Sequence, residues 1–380
     1  MKRLILAALI LAGCGKPLYE SSGSTSGSSG TSGQTQDITV TGTRRAPNVM
    51  FVVDRSGSMA DNPDDSSDPS CVGTSGQHGY TCKWDQLLSL MAGDGINSGY
   101  VQQLQDTLGQ AAGEPAQLGL ITYAGSAACD VGVVQEAVAA NNAANINRDL
   151  DAIAPQGGTP TAATLAVARD ALLAAADSTG RDSYVVLLTD GAPNCDPNFP
   201  ATSANCQDGT QYCVGANACV QSNGTLDGAA PLGCLDEDAS VAAVQDLFNN
   251  GIQTFVIGFG ADFNDTASLA NDTLNKMALA GGEPFTANGA LTTSFYRASS
   301  AADLGASLQD VSNAIQNRCG FRLAEAAPVT ISAAKVQSGS TTISLTLGTM
   351  LLSTDRKSLT LSDTVCQEVS GDQVSFIFTP

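Results

Sequence analysis

The sequence has 380 residues, with 37 acidic side chains against 17 basic ones, a formal net charge of −20 and a pI near 4.1. A surface that acidic repels nucleic acid and anionic lipid and tolerates divalent cations, so nucleic-acid binding is excluded as a leading function. With a single histidine and no CxxC pair, a structural zinc site lacks a ligand set.

The chain opens "MKRLILAALILAGCG", where Lys2 and Arg3 precede nine apolar residues that stop at small residues before Cys14. Such a run is too short to span a bilayer and reads as a secretory signal over residues 1–13. Leu11, Ala12, Gly13 and Cys14 resemble the lipobox of bacterial lipoproteins. The resemblance implies acylation of Cys14, palmitate included, and Gly15 after it implies sorting to the outer membrane, with the face left open. Removing residues 1–13 leaves 15 basic against 37 acidic residues, a net charge of −22. Residues 19–36 are Ser/Gly-rich with little to bury, so residues 14–47 are expected to form a flexible tether. Its reach is on the order of 100 Å extended and roughly 30 Å root-mean-square.

Eleven cysteines less Cys14 leave ten: Cys71, Cys82, Cys129, Cys195, Cys206, Cys213, Cys219, Cys234, Cys319 and Cys366. An even remainder in an exported chain points to disulfides made in an oxidising envelope. Isolation along the chain suggests Cys71 with Cys82 and Cys319 with Cys366; the connectivity is otherwise open.

From Asn48 the pattern changes. "NVMFVVD", "QLGLITYAG", "SYVVLLTDG" and "IQTFVIGFG" are near-continuous apolar runs, as expected for parallel strands covered on both faces. Helical periodicity falls on residues 83–92, 100–112, 162–176, 237–250 and 267–280. This alternation predicts a doubly wound, Rossmann-like α/β sheet with right-handed crossovers over residues 48–318. Residues 131–134 read as an antiparallel edge, and residues 294–299 as another edge strand before a final helix over 300–318. Residues 319–380 alternate apolar with Thr and Ser and predict a small antiparallel β unit.

Ligands of an open α/β sheet bind beyond the carboxyl ends of its strands. Three such ends carry oxygen donors here: Asp54, Ser56 and Ser58 in "DRSGS", Thr159 in "QGGTPTAAT", and Asp190 in "LLTDG". Singly, each has an ordinary reading: an Asx-type turn at Asp54, a helix cap with Pro160 behind it at Thr159, a strand exit at Asp190. Together they offer a hard cation a set of oxygen ligands.

The order DxSxS, Thr after a glycine pair, then TDG resembles the metal-ion-dependent adhesion site of von Willebrand factor A domains, with the resemblance running over roughly residues 48–318. It implies that Ser56, Ser58 and Thr159 hold the ion directly or nearly so, while Asp54 and Asp190 act mostly through water. Neutral hydroxyls in the inner shell leave the ion positive, ready to accept an Asp or Glu carboxylate from a protein or extracellular polymer. Mg²⁺ comes first from ligand hardness and number, with Mn²⁺ and Ca²⁺ as alternatives.

Two insertions, residues 60–82 and 192–236, fall on the same rim and are expected to form the specificity surface. The acidic cluster Asp61, Asp64, Asp65 and Asp68 lacks a calcium-loop spacing and reads as a solvated face. Trp84 reads as packing and His78 as an exposed loop residue. The expected function is an adhesin-like binding module on a lipid anchor, without enzymatic activity. The alternative is a docking subunit of an envelope assembly, and the build also resembles lipoproteins of gliding bacteria, including those of adventurous gliding motility. A metal-dependent hydrolase has less support, since no HExxH and no placed histidine base occur.

Overall fold

The computed structural model describes residues 36–63, 82–93, 98–124, 129–175, 180–196, 233–265, 268–285, 293–346, 348–353, 355–369, 371 and 373–380. The signal segment, Cys14, residues 15–35, Cys71, His78, Cys206, Cys213, Cys219 and Asp64, Asp65 and Asp68 lie outside them.

The strands are β1 (Ile38–Arg45), β2 (Asn48–Asp54), β3 (Gln117–Tyr123), β4 (Val133–Ala140), β5 (Ser183–Thr189), β6 (Ile252–Phe259) and β7 (Tyr296–Ala298), followed by β8 (Cys319–Leu323), β9 (Ala333–Ser338), β10 (Thr341–Leu345), β11 (Met350–Leu352), β12 (Ser358–Leu361) and β13 (Gln373–Thr379). The helices are α1 (Lys83–Ala92), α2 (Tyr100–Ala112), α3 (Ala143–Asp151), α4 (Thr161–Leu173), α5 (Glu237–Asn249), α6 (Leu269–Ala280), α7 (Ala301–Gln316) and the short α8 (Asp363–Cys366).

A six-stranded sheet runs β4-β3-β2-β5-β6-β7, with β2, β3, β5, β6 and β7 parallel and β4 antiparallel on the edge. All seven residues of β2 are buried. Val49, Phe51 and Val53 enter the core on one face, with α1, α2 and α7, while Met50 and Val52 enter the core on the other, with α4, α5 and α6. Side chains alternate across a strand, so only a run apolar at every position fits a sheet with helices on both sides. The helical periodicities at 83–92 and 100–112 coincide with α1 and α2, and the antiparallel edge begins two residues later than its sequence signal. Helix α3 was not foreseen, although Ala143, Ile146 and Leu150 are buried at helical spacing.

A second sheet, wholly antiparallel, has the order β10-β9-β13-β1-β8-β12-β11. Its core includes Val40, Phe321, Val336, Leu359, Phe376 and Phe378, and the Phe321 and Phe376 rings meet edge to face with centroids 5.3 Å apart. The expected C-terminal β unit is therefore present, with a strand borrowed from the other end of the chain. This corrects the tether expected over residues 14–47: residues 38–45 form β1, an interior strand bonded to β13 and β8. Two features commit them to the sheet. Val40 faces the core from a Thr-rich stretch suited to a pleat, and Gly42 leaves room for the Phe376 ring, whose Cε2 would stand 2.4 Å from a Cβ at that position. Cys319 and Cys366 form the expected disulfide, with Cα atoms 5.7 Å apart, tying β8 to α8.

The two sheets are stitched together. Residues 46–47 carry β1 directly into β2, Arg181 and Arg45 both pair with Glu114 at 3.0 and 2.6 Å, and Thr360 Oγ1 donates to Asp182 Oδ1 at 2.5 Å. Desolvation holds the Asp182 carboxyl up at about 6, partly offset by that hydrogen bond and by the Arg318 and Arg44 charges. A carboxyl whose pKa rises on folding binds its proton more tightly in the native state. Its contribution to stability is full below the ordinary value near 3.8 and is lost as pH rises through about 6. Denaturant unfolding across this window should show Asp182→Asn gaining on the parent protein as pH rises from about 4 to about 6.5. A stability difference that stays constant with pH would contradict this.

Candidate functional site

Strands β2 and β5 pair in parallel with Val53 opposite Leu188, so they end on the same edge of the sheet. Asp54 is the last residue of β2, and Asp190 follows the last residue of β5. Both carboxylates are buried, at 0 % and 1 % exposure, where an unpaired charge is not tolerated.

Beyond Asp54 the chain enters a 3-10 turn over Gly57–Ala60 that brings the serines back over the strand end. The oxygens then converge. Ser56 Oγ lies 3.0 Å from Ser58 Oγ, Ser58 Oγ donates to Asp190 Oδ1 at 2.9 Å, and Ser56 Oγ is 3.5 Å from that same oxygen. Asp54 stands behind this triangle. Its Oδ1 accepts from the Ser56 backbone N–H at 2.7 Å, and its Oδ2 accepts from Thr189 Oγ1 at 2.6 Å. Burial, then the neighbouring Asp190 charge, pushes the Asp54 carboxyl up to about 7, against donors from Thr189 and Ser56.

Thr159 reaches the same rim through its backbone. Gly57 N–H donates to Gly157 O at 2.9 Å. Thr159 N–H donates to Asn194 Oδ1 at 2.7 Å, and Asn194 N–H returns a bond to Thr159 O at 2.9 Å. Thr159 is buried at 6 % exposure, but no hydrogen bond joins its hydroxyl to Ser56, Ser58 or Asp190. Of the five side chains singled out in the sequence, Ser56, Ser58 and Asp190 are thus in mutual contact, Asp54 accepts from the Ser56 N–H, and Thr159 joins the same loops through its backbone.

Arg55 laces the loops. Its N–H donates to Tyr123 O at 2.6 Å, its O accepts from Gln156 N–H at 2.6 Å, and its guanidinium donates to Ala124 O at 2.7 Å and Ala154 O at 3.0 Å. A disulfide between Cys129 and Cys195, with Cα atoms 5.3 Å apart, ties the segment after β3 to the segment after Asp190. The insertions leave and return at this rim: Lys83 N–H donates to Asp61 O at 3.0 Å, and Asp236 N–H to Pro193 O at 2.9 Å. Cys82 and Cys234, at their ends, are also disulfide-bonded. Trp84 packs in the core as expected, its indole N–H donating to Ile153 O at 3.2 Å.

Three contributors escaped the sequence reading. Thr189 sits inside an apolar strand, and Asn194 lies within an insertion. Lys83, the first residue of α1, places Nζ 3.0 Å from Asp190 Oδ2 with its side chain 2 % exposed. A signal for Lys83 existed, since a cation in the first turn opposes the helix dipole and calls for an anionic partner.

Among the described residues no group of three or more His, Cys, Asp or Glu side chains forms a metal cage. The candidate site draws instead on hydroxyls. Adjacent ligands in an octahedron with bonds of about 2.1 Å stand about 3.0 Å apart. The edges of the Ser56, Ser58 and Asp190 triangle, 3.0, 2.9 and 3.5 Å, match one face of such a shell. The donor set therefore fits a small hard cation such as Mg²⁺.

The family model described as the von Willebrand factor type A domain matches residues 98–310, more than half of the chain; the match includes Thr159 and Asp190 and begins after Ser58. Among curated proteins none matches. Solved structures that match include the PilB minor pilin from Streptococcus sanguinis, at 17 % identity over 70 % of this chain and 60 % of that one, TM-score 0.44. Another is the vWF domain of the type V pili tip protein Mfa5 from Porphyromonas gingivalis, at 16 % identity over 70 % of this chain and 94 % of that one, TM-score 0.42. The pilus adhesin SpaC from Lactobacillus rhamnosus GG matches at 15 % identity over 90 % of this chain and 40 % of that one, TM-score 0.45.

Thr189 and Asp54 make the shortest buried side-chain bond of the site, a hydroxyl on a carboxylate. Thr189→Val keeps the shape and removes the donor, so it should cost about 1–3 kcal/mol in urea unfolding of the metal-free protein at neutral pH. A loss under about 0.3 kcal/mol would show that Asp54 does not depend on this donor.

Proposed function

The chain belongs to the von Willebrand factor type A domain family, and from that premise we propose that it is a binding module that grips an acidic group on a partner through a divalent cation held at the β2 and β5 strand ends. The observation that carries this reading is the triangle of Ser56 Oγ, Ser58 Oγ and Asp190 Oδ1, whose edges suit an octahedral ion. Ser56, Ser58 and Asp190 would hold the cation, with Thr159 as a further hydroxyl on the same rim and Asp54 as a second carboxylate bonded to the Ser56 N–H. Mg²⁺ is the first candidate, with Mn²⁺ and Ca²⁺ behind it. When bound, the cation supplies an electrophilic position that a carboxylate from outside can fill.

The protein's own groups do the rest. Thr189 and the Ser56 N–H occupy both oxygens of Asp54 and fix its direction. Asn194 holds the Thr159 backbone, and Arg55 locks the loops to one another. The partner would meet the two insertions, because both have their necks at this rim. The lipobox-like ending at Cys14 supports an outer-membrane lipid anchor. Adhesion, including adhesion during gliding, is the use that such a tethered, carboxylate-seeking domain serves best.

Two measurements test this together. Mg²⁺ added to chelator-treated protein should raise the melting temperature by several degrees, and Ser58→Ala should abolish the rise. Pull-down from the native envelope should retain a partner with Mg²⁺ and lose it with chelator or with Ser58→Ala. A partner retained equally in all three conditions would remove the cation from the binding mechanism.

A further inference from the structure

Lys83 is a strong charge at the site that the metal-binding reading does not use. Its ammonium lies 3.0 Å from Asp190 Oδ2, and its side chain is 2 % exposed. The backbone N–H of the same residue is fastened to Asp61 O at 3.0 Å, just beyond the Ser56 to Ser58 turn. Gly260, at φ +147°, makes room for the stem: a Cβ there would stand 3.1 Å from Lys83 Cε and 3.3 Å from Nζ. The amine is thus built into the floor of the site rather than resting on its surface.

We propose that Lys83 is a specificity-determining residue that keeps the centre cationic after the divalent ion is bound, trading metal affinity for affinity toward an anionic partner. The inference rests on the metal-binding reading above. It follows from where the two oxygens of Asp190 point. Oδ2 is taken by the ammonium, while Oδ1 faces Ser56 and Ser58. Asp190 therefore offers the ion one oxygen and has its charge largely balanced from behind. A divalent ion between Asp54 and Asp190 alone would make a neutral centre. Counting the ion, Asp54, Asp190 and Lys83 the sum is +1, and in a buried site one unit of charge acts strongly on an incoming carboxylate. The same charge repels the metal, so the two affinities are set against each other by one residue.

That opposition separates the proposal from a packing role. The full chain, stripped with chelator, is titrated with Mn²⁺ by calorimetry. The Mn²⁺-loaded protein is then titrated with acetate, with water-proton relaxation reporting displacement of metal-bound water. Relative to the parent, Lys83→Met should bind Mn²⁺ about tenfold more tightly and acetate several-fold more weakly. Lys83→Arg, which keeps the charge, should hold both values within about threefold. Both affinities falling together in the folded Lys83→Met protein, or neither moving, would overturn the proposal. Should Lys83→Met fail to fold, Lys83→Arg still decides, because a loss of acetate binding with the cation retained is incompatible with a charge-based role. A parent protein that binds no Mn²⁺ would instead overturn the metal-binding reading, and this inference with it.

Discussion

Two carboxylates at the ends of neighbouring parallel strands, both out of reach of solvent, impose the central constraint on this molecule. Like charges in a low-dielectric pocket cannot both persist without positive charge or donated protons nearby. Each donor around Asp54 and Asp190 answers that demand: a threonine hydroxyl, a serine amide, two serine hydroxyls and a lysine ammonium. Burial, and then the Asp190 charge, nevertheless holds the Asp54 carboxyl up at about 7. The Ser56, Ser58 and Asp190 oxygens at this rim, 2.9 to 3.5 Å apart, have the spacing that the proposed cation would need.

The rest of the fold serves to hold that arrangement still. Oxygens spaced for a small ion must stay within a few tenths of an ångström, and turns alone are too soft for this. The turn after β2 is braced by the Gly57 to Gly157 bond and by Arg55, and the loop bearing Thr159 is clamped by Asn194. The Cys129 to Cys195 disulfide closes the ring of loops from the β3 side. On the opposite side the chain runs from β1 through residues 46–47 into β2 and so to Asp54. The strand that carries the site is therefore continuous with an interior strand of the second sheet.

Much of this was legible in the residues. Runs apolar at every position, as in β2 and β6, fit strands covered on both faces, and they marked out strands of the central sheet and the edge that carries Asp54 and Asp190. The spacing of Asp54, Ser56 and Ser58 and the Thr-Asp-Gly ending of β5 pointed to the candidate site, because few folded contexts place so many short oxygen-bearing side chains at strand ends. What stayed hidden depended on contacts distant in sequence. Strand β1 looks like the end of a linker until β13 and β8 flank it, and its Thr and Gly residues mean little without Phe376 opposite. Lys83 and Asn194 act across 107 and 35 positions. The pairing of Cys129 with Cys195 requires knowing that two loops share a rim, whereas that of Cys319 with Cys366 followed from their isolation in one small unit.

The most direct test is anomalous diffraction from crystals of the full chain grown with Mn²⁺. A single strong peak about 2.2 Å from Ser56 Oγ and Ser58 Oγ, on the Oδ1 side of Asp190 and away from Lys83 Nζ, is the expected result. A cell that shows Mn²⁺ elsewhere, with the serines still bonded to each other and to Asp190, would mean that these oxygens stabilise a turn and hold no ion.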